Sequence, residues 1–316
     1  VATLLKVIKP LIILSIISIF SSSIYSQEDI IRVDTNLVTI PVSVSDRDGR
    51  YITNLKKEDF QIFENGVEQE ITLFETIEQP VTVLLLLDVS GSMIKDLAQL
   101  TDASNAFVNQ LRPDDKLMVA TFDERVHLLF NAKSVKEVRE RKKLPLKING
   151  SPSYTMVYDA VDFALKKMKK ISGRKAIILF SDGLSERDFA SAKSNLRDAE
   201  ENEALIYTIT FDTTIFSRFS HESEKDFRKR LESAEFAKNY MADLAKATGG
   251  RPYQVEKIID LKETFTQIAN EIGQQYNLGY YLKTKGEKGE RRQIKVRVNL
   301  PNVAVRARDS YVVKSN

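Results

Sequence analysis

Hydrophobic and polar positions follow three regimes along the chain. From Ile31 to Thr76 they alternate in short runs, Leu37-Val38-Thr39-Ile40-Pro41-Val42-Ser43-Val44 and then Phe60-Gln61-Ile62-Phe63. A period of two is that of a strand with one face buried. The runs are punctuated by Asp46-Arg47-Asp48-Gly49 and Glu64-Asn65-Gly66, and Asp-Gly and Asn-Gly are strong hairpin signals because tight two-residue turns need positive φ at both positions. From Val81 to about Tyr276 the pattern changes. Nearly unbroken apolar runs, Val81 to Leu87, Asp115 to Asp123, Arg174 to Asp182 and Ala204 to Asp212, predict strands buried on both faces. Between and after them, residues 94–111, 155–171, 186–202, 233–247 and 260–275 carry helical spacing. Such alternation predicts an α/β fold, a Rossmann-like, doubly wound, mainly parallel sheet covered by helices. Past residue 277 the β alternation returns, in Gln293-Ile294-Lys295-Val296-Arg297-Val298 and Ala304-Val305-Arg306-Ala307 around a Pro301-Asn302 turn.

Each flanking β stretch is too short to close a core by itself. The simplest solution is that residues 31–76 pair with residues 277–314 as a small all-β, sandwich-like domain, with the α/β domain, residues 78–276, inserted between them. Two separate β appendages packed on the central domain are the alternative. The N-terminal β region then runs over residues 27–77 and the C-terminal one over 277–316.

The first residues have the three parts of a secretory signal peptide, spanning residues 1–26. Lys6 and Lys9 precede an apolar stretch from Pro10 to Phe20, and Ser21 to Ser26 lead to a polar start at Gln27. That stretch is short for a bilayer span. Export with cleavage is the expectation, into a periplasm, onto a cell surface or out of the cell. An uncleaved amphipathic or membrane anchor is the alternative and is the only membrane link the sequence offers.

Composition narrows the chemistry. The formal charge of +3 falls to +1 without Lys6 and Lys9, so nucleic acid is not an expected partner. Cysteine is absent, which excludes a disulfide framework, a thiolate metal site and a cysteine nucleophile. With two histidines in the whole chain, a histidine-rich metal site is equally disfavoured.

The strand from Val81 ends in Asp88-Val89-Ser90-Gly91-Ser92. The C-terminal ends of strands in open α/β sheets are where ligands bind. One carboxylate and two hydroxyls there, with Gly91 easing a sharp turn, form an oxygen-only set that suits a hard cation such as magnesium, manganese or calcium. A second buried run ends at Ser181-Asp182-Gly183, and Gly150-Ser151-Pro152-Ser153-Tyr154-Thr155 leads into a predicted helix near the same edge. Taken singly, Asp-Val-Ser-Gly-Ser also reads as a helix cap and Ser-Asp-Gly as a turn.

In order and approximate spacing, Asp88, Ser90, Ser92, Thr155 and Asp182 resemble the metal-ion-dependent adhesion site of the von Willebrand factor type A family. The resemblance covers residues 80 to about 275. It implies that the hydroxyls approach a divalent cation, that the aspartates bind it directly or through water, and that an open coordination position accepts a carboxylate from a protein partner. The flanks, including Arg32 to Val38, Glu58 to Gly66 and Val305 to Tyr311, resemble an exported bacterial subgroup of the same family. One departure concerns the threonine, which in the family directly follows a Gly-Gly or Gly-Ser pair. Here Pro152, Ser153 and Tyr154 intervene, so Ser151 and Ser153 compete with Thr155. Thr155 is favoured because Thr155 to Asp159 also fits the pattern, with Asp159 itself a helix-surface or supporting residue and not a ligand.

The expected function is therefore binding, not catalysis. A site of neutral hydroxyls and two aspartates leaves a divalent ion electron-deficient, whereas catalysis needs a base or nucleophile beside it. His127 sits in a predicted edge strand and His221 in the charged stretch Arg218 to Arg230, and neither is read as catalytic. A metal-dependent hydrolase and a structural module without metal are the competing readings. The stretch from Thr213 to Glu232, with Phe216, Phe219 and Phe227, is either a partner-contacting insertion or an extra surface helix. The basic cluster from Lys283 to Arg297 is read as a solvated hairpin.

Overall fold

The first alternating run forms strand β1 (Leu37–Ser45), and its pattern becomes burial: Val38, Ile40, Val42 and Val44 lie in the core, while Leu37 and Thr39 are half-exposed. The computed structural model describes residues 37–76, 79–141, 143–147, 154–211, 222–284, 286–287 and 289–313, all within one compact unit, Asn36–Asn316. Residues 1–26, read above as a signal peptide, Ser151, Ser153, His221, and the first part of the stretch from Thr213, including Phe216 and Phe219, lie outside the described residues. Among the described residues no helix is long and apolar enough to cross a membrane.

Strands β2 (Phe60–Glu64) and β3 (Val67–Gln69) form a hairpin whose turn residues Asn65 and Gly66 have φ of 48° and 83°, as a two-residue primed turn requires. Strand β4 (Leu73–Glu75) leads to β5 (Thr82–Asp88), every residue of which is buried. There follow a 3-10 turn (Gly91–Asp96), helix α1 (Leu97–Val108), strands β6 (Lys116–Phe122) and β7 (Val126–Ser134), and helices α2 (Val135–Arg139) and α3 (Val157–Met168). Strand β8 (Lys175–Ser181), helix α4 (Ala192–Glu201), strand β9 (Leu205–Phe211), helix α5 (Glu224–Thr248), strand β10 (Pro252–Val255) and helix α6 (Leu261–Ile272) complete the α/β part. The chain then returns through β11 (Tyr276–Tyr281), β12 (Arg291–Val298), β13 (Ala304–Arg306) and β14 (Ser310–Val312).

The central sheet has the order β10-β9-β8-β5-β6-β7, parallel throughout except for the antiparallel edge strand β7. Successive side chains of β5 leave on opposite faces. Val83, Leu85 and Leu87 pack with Leu100 and Phe107 of α1 and Leu261 and Phe265 of α6. Leu84 and Leu86 pack with Val157 and Val161 of α3, Ala199 of α4 and Tyr240 and Met241 of α5. A strand that serves two cores has no polar face, which is why its sequence shows no alternation.

The β flanks form two further sheets, β13-β1-β11-β4 and β14-β12-β2-β3, which share a third core that includes Ile40, Val42, Phe60, Ile62, Tyr276, Leu278 and Ile294. Strands β4 and β11 lead into and out of the α/β part, and they pair antiparallel, Asn277 opposite Glu75 and Gly279 opposite Leu73. Although β12 and β13 are joined by a short turn, they do not form a hairpin: β12 pairs with β2 and β14, and β13 with β1.

Two helices differ in extent from the periodicity. Helix α4 begins at Ala192, not 186, because Ser191 caps it by accepting from Ser194 N at 3.1 Å and residues 182–190 are committed to a separate hydrogen-bonded loop. Helix α5 begins at Glu224, not 233. Ser223 caps it, accepting from Asp226 N at 3.1 Å, and an exposed Glu224–Arg228 pair at 3.1 Å supports turns that bury no residue before Ala237. The second half of the Thr213 to Glu232 stretch is thus helix.

Candidate metal site

Strand order places the site. Chain crossovers leave β5 toward β6 on one side, and the chain later returns to β8 on the other, so the C-terminal end of β5 is the topological switch point at which open sheets form a crevice. Asp88 stands in register with Phe122 of β6, and Leu87 with Phe180 of β8, so Ser181 is level with Asp88 on the neighbouring strand. Beyond Asp88 the residues divide by polarity. Val89 and Met93 enter the core beneath α1, while Asp88 and Ser90 are held at the edge by Val89 N donating to Phe122 O and Met93 N to Ser90 O, each at 2.9 Å. Ser92 lies in the 3-10 turn that starts at Gly91.

Asp88 is 1% exposed. Its Oδ1 accepts from Ser90 N at 2.9 Å, its Oδ2 accepts from the Ser181 hydroxyl at 2.7 Å, and the Ser90 hydroxyl also bonds to it. Burial pushes its carboxyl up to about 7, with the charge of Asp182 adding to the rise and the hydrogen bonds from Ser181 and Ser90 opposing it. Among the described residues no Lys, Arg or His pairs with Asp88.

The Ser181-Asp182-Gly183 corner is built to bring the second carboxylate alongside. The Ser181 hydroxyl donates to Asp88 and accepts from Gly183 N at 2.9 Å, and Asp182 Oδ1 accepts from Leu184 N at 3.0 Å. Gly183 has φ of +77°, and a Cβ there would lie 3.0 Å from the Met241 side chain and 3.2 Å from Ala237 O. Only glycine lets the chain turn this close to α5.

Thr155 is fixed between the two sides of β5. Met156 N donates to Asp123 O at 3.0 Å, which ties the segment to the end of β6, and Glu186 N donates to Thr155 O at 2.8 Å, which ties it to the loop after β8. The start of α3 is closed by that same loop. Val157 N and Tyr158 N donate to the Ser185 hydroxyl at 2.7 and 3.3 Å, and Asp159 N donates to Asp188 Oδ1 at 3.1 Å. Asp159 reciprocates, its Oδ1 accepting from Phe189 N at 3.0 Å and Ala190 N at 2.7 Å, so its carboxylate is occupied as a clasp.

The fold thus brings Asp88, Ser90, Ser92, Thr155 and Asp182 from three separated segments to one sheet edge. Two neighbouring carboxylates, one of them buried and bonded by the Ser90 and Ser181 hydroxyls, fit an oxygen-ligated divalent ion. A hydroxyl that donates to Asp88, as that of Ser90 does, still has lone pairs for a metal. Among the described residues no group of three or more His, Asp or Glu side chains is placed to hold a metal, so a metal here depends on hydroxyl ligands. Ser181 and the Ser185–Asp188–Asp159 clasp were not singled out from sequence. Ser181 precedes Asp182 in a visible motif, but the clasp joins residues about thirty apart and has no local signature.

His127 lies beside this edge on β7, its Nε2 3.2 Å from Asp123 Oδ1. Asp123 also accepts from Arg125 N at 2.9 Å. Among the described residues no hydroxyl is bonded to His127.

Residues 83–185 match the family model for the von Willebrand factor type A domain. No curated protein matches the chain. Similar solved structures include a von Willebrand factor type A protein from Catenulispora acidiphila, with 10% identity over 90% of this chain and 76% of that one and a TM-score of 0.47. The vWF domain of a type V pili tip protein from Porphyromonas gingivalis has 14% identity over 66% of this chain and 97% of that one, with a TM-score of 0.45. Proximal thread matrix protein 1 of the mussel byssus, with a zinc-occupied MIDAS motif, has 13% identity over 67% of this chain and 50% of that one, with a TM-score of 0.49. The match runs across β5, α3 and β8, the elements that carry the candidate site, so this part of the chain is similar to the von Willebrand factor type A domain.

Proposed function

We propose that this chain is an exported binding protein that holds a divalent cation, magnesium or in its place manganese or calcium, and uses it to engage a carboxylate of a protein partner. Asp88, Ser90, Ser92, Thr155 and Asp182 would hold the ion. The observation that carries the reading is Asp88, a carboxylate with 1% exposure beside Asp182 that no cation among the described residues pairs with. Bound there, a divalent ion would supply a positive centre that neutral hydroxyls leave largely uncompensated and that an incoming carboxylate would satisfy. The protein's own part is to place both aspartates side by side, to orient the Ser90 hydroxyl through its bond to Asp88, and to lock the Thr155 backbone between β6 and the loop after β8.

Binding is favoured over hydrolysis because the imidazole at this edge, His127, is bonded to Asp123 and engages no hydroxyl among the described residues. Export rests on the composition of residues 1–26. Calorimetric titration with Mg2+ tests the site: wild type gives a saturable heat and Asp88→Ala gives none. A wild type silent to Mg2+, Mn2+ and Ca2+ would remove the proposal. Capture from the native secretome, eluted by EDTA, tests the bridge, and capture that survives EDTA would count against it.

A further inference from the structure

We infer that Phe189, with Arg187 and Tyr154 beside it, is the specificity anchor of the partner surface. The partner it fits is a protein segment carrying an acidic residue with a large apolar residue a few positions away. The inference rests on the metal-bridged reading above and adds a second, apolar point of contact to it.

Phe189 is 96% exposed. An aromatic ring in open water is ordinarily found on a loose loop or against a partner, and this loop is not loose. Phe189 N and Ala190 N donate to Asp159 Oδ1 at 3.0 and 2.7 Å, Glu186 N donates to Thr155 O at 2.8 Å, and the Ser185 hydroxyl donates to Asp188 Oδ2 at 2.5 Å. The backbone of the loop is therefore anchored at several points, and it presents the ring to solvent. Asp159 lies within the first turn of α3, and Thr155 just before that helix, so the backbone that carries the ring is anchored within a helical turn of Thr155.

Two more features share that rim. Arg187 has φ of +60°, a conformation that costs a residue with a side chain energy and persists only where surroundings impose it. Its guanidinium lies over the Tyr154 ring at 4.7 Å, and among the described residues it has no carboxylate partner. A planar cation stacked on an aromatic face keeps its donors free for an incoming acid.

The rim thus offers a cation stacked on Tyr154, an exposed aromatic ring on an anchored backbone and, between the aspartates, the place for a divalent ion. Charge complementarity asks for an acidic partner, and the ring asks for an apolar neighbour. Rigid, exposed aromatic and arginine side chains are the residues that dominate binding energy at interfaces, because little conformational freedom remains to be lost. Asp159 is a positioning residue in this scheme, holding the backbone that presents the ring.

A phage-displayed library of random linear peptides, captured on the full chain in Mg2+ and eluted with EDTA, tests this. Peptides eluted from wild type are expected to combine a carboxylate with a large apolar residue nearby. A selected peptide should bind Phe189→Ser on the order of tenfold more weakly, while Phe189→Leu keeps most of the affinity and the Mg2+ titration of both variants matches wild type. Eluted peptides with a carboxylate but no apolar preference, or equal affinity for Phe189→Ser, would overturn the anchor and leave the metal bridge standing. Failure to elute any peptide with EDTA would overturn both.

Discussion

Asp88 is buried beside Asp182, whose charge adds to the cost of ionising it, and this strain separates two substitutions that look alike. Asp88→Asn keeps the shape and removes one buried charge. In metal-free protein it should be neutral or stabilising, yet it should abolish the gain that wild type shows on adding Mg2+. That gain amounts to about 2.7 kcal/mol when the ion is ~100-fold above its Kd. Thermal unfolding of both proteins in EDTA and in Mg2+ checks the pair of outcomes, and an equal Mg2+ gain in Asp88→Asn would contradict the assignment. Gly183→Ala acts through the backbone. At φ of +77° and 3.0 Å from Met241 an added methyl both strains the turn and pushes on α5. A loss of about 1 to 3 kcal/mol is expected, with weaker metal binding because Asp182 is the preceding residue. At this scale the sequence was informative where chemistry is local. Asp88, Ser90 and Ser92 share one pentapeptide, and Asp182 closes another motif. Ser181's bond to Asp88 links residues 93 apart and could come only from strand register.

Between elements, one buried carboxylate ties the α/β part to the β flanks. Glu271 near the end of α6 is fully buried. It accepts from Tyr51 at 2.8 Å and from Tyr207 at 2.7 Å, and pairs with Arg306 of β13. Glu271→Ala leaves Arg306 without its partner, and removal of one member of such a pair costs about 3 kcal/mol or more. Urea unfolding should show that loss, while Mg2+ binding at the distant sheet edge stays near wild type. The elements themselves were legible in proportion to their apolar pattern. The buried runs of β5, β6, β8 and β9 stand within a residue or so of their sequence limits, because a strand facing two cores carries no charged residue until it leaves them. Helices α4 and α5 were misplaced at their N-termini because capping by Ser191 and Ser223 sets those ends, not periodicity. Strand β10 was missed: it is short, and it exists because Gly250 lets the chain lie against β9. A Cβ there would be 2.0 Å from Ile206 O.

Across the whole molecule, adjacent strands β4 and β11 carry the chain into and out of the α/β part, which is the geometry of an inserted domain. We propose on this basis that residues 78–276 fold without the flanks. Expressed alone, they should unfold cooperatively and bind Mg2+ as the full chain does. A molten or insoluble product would show that the Glu271 network and the third core are required. The sequence by itself determined the α/β alternation, the β character of both flanks, the hairpin at Asn65-Gly66 and the residue types of the metal site, because each is written in local period or short motif. Tertiary structure alone decided which strands are neighbours, that β12 and β13 part into different sheets, that Thr155 is pinned between β6 and the loop after β8, and that Phe189 is held out in solvent. Those outcomes depend on hydrogen bonds and packing between residues tens to hundreds of positions apart, and no window along the chain contains both partners.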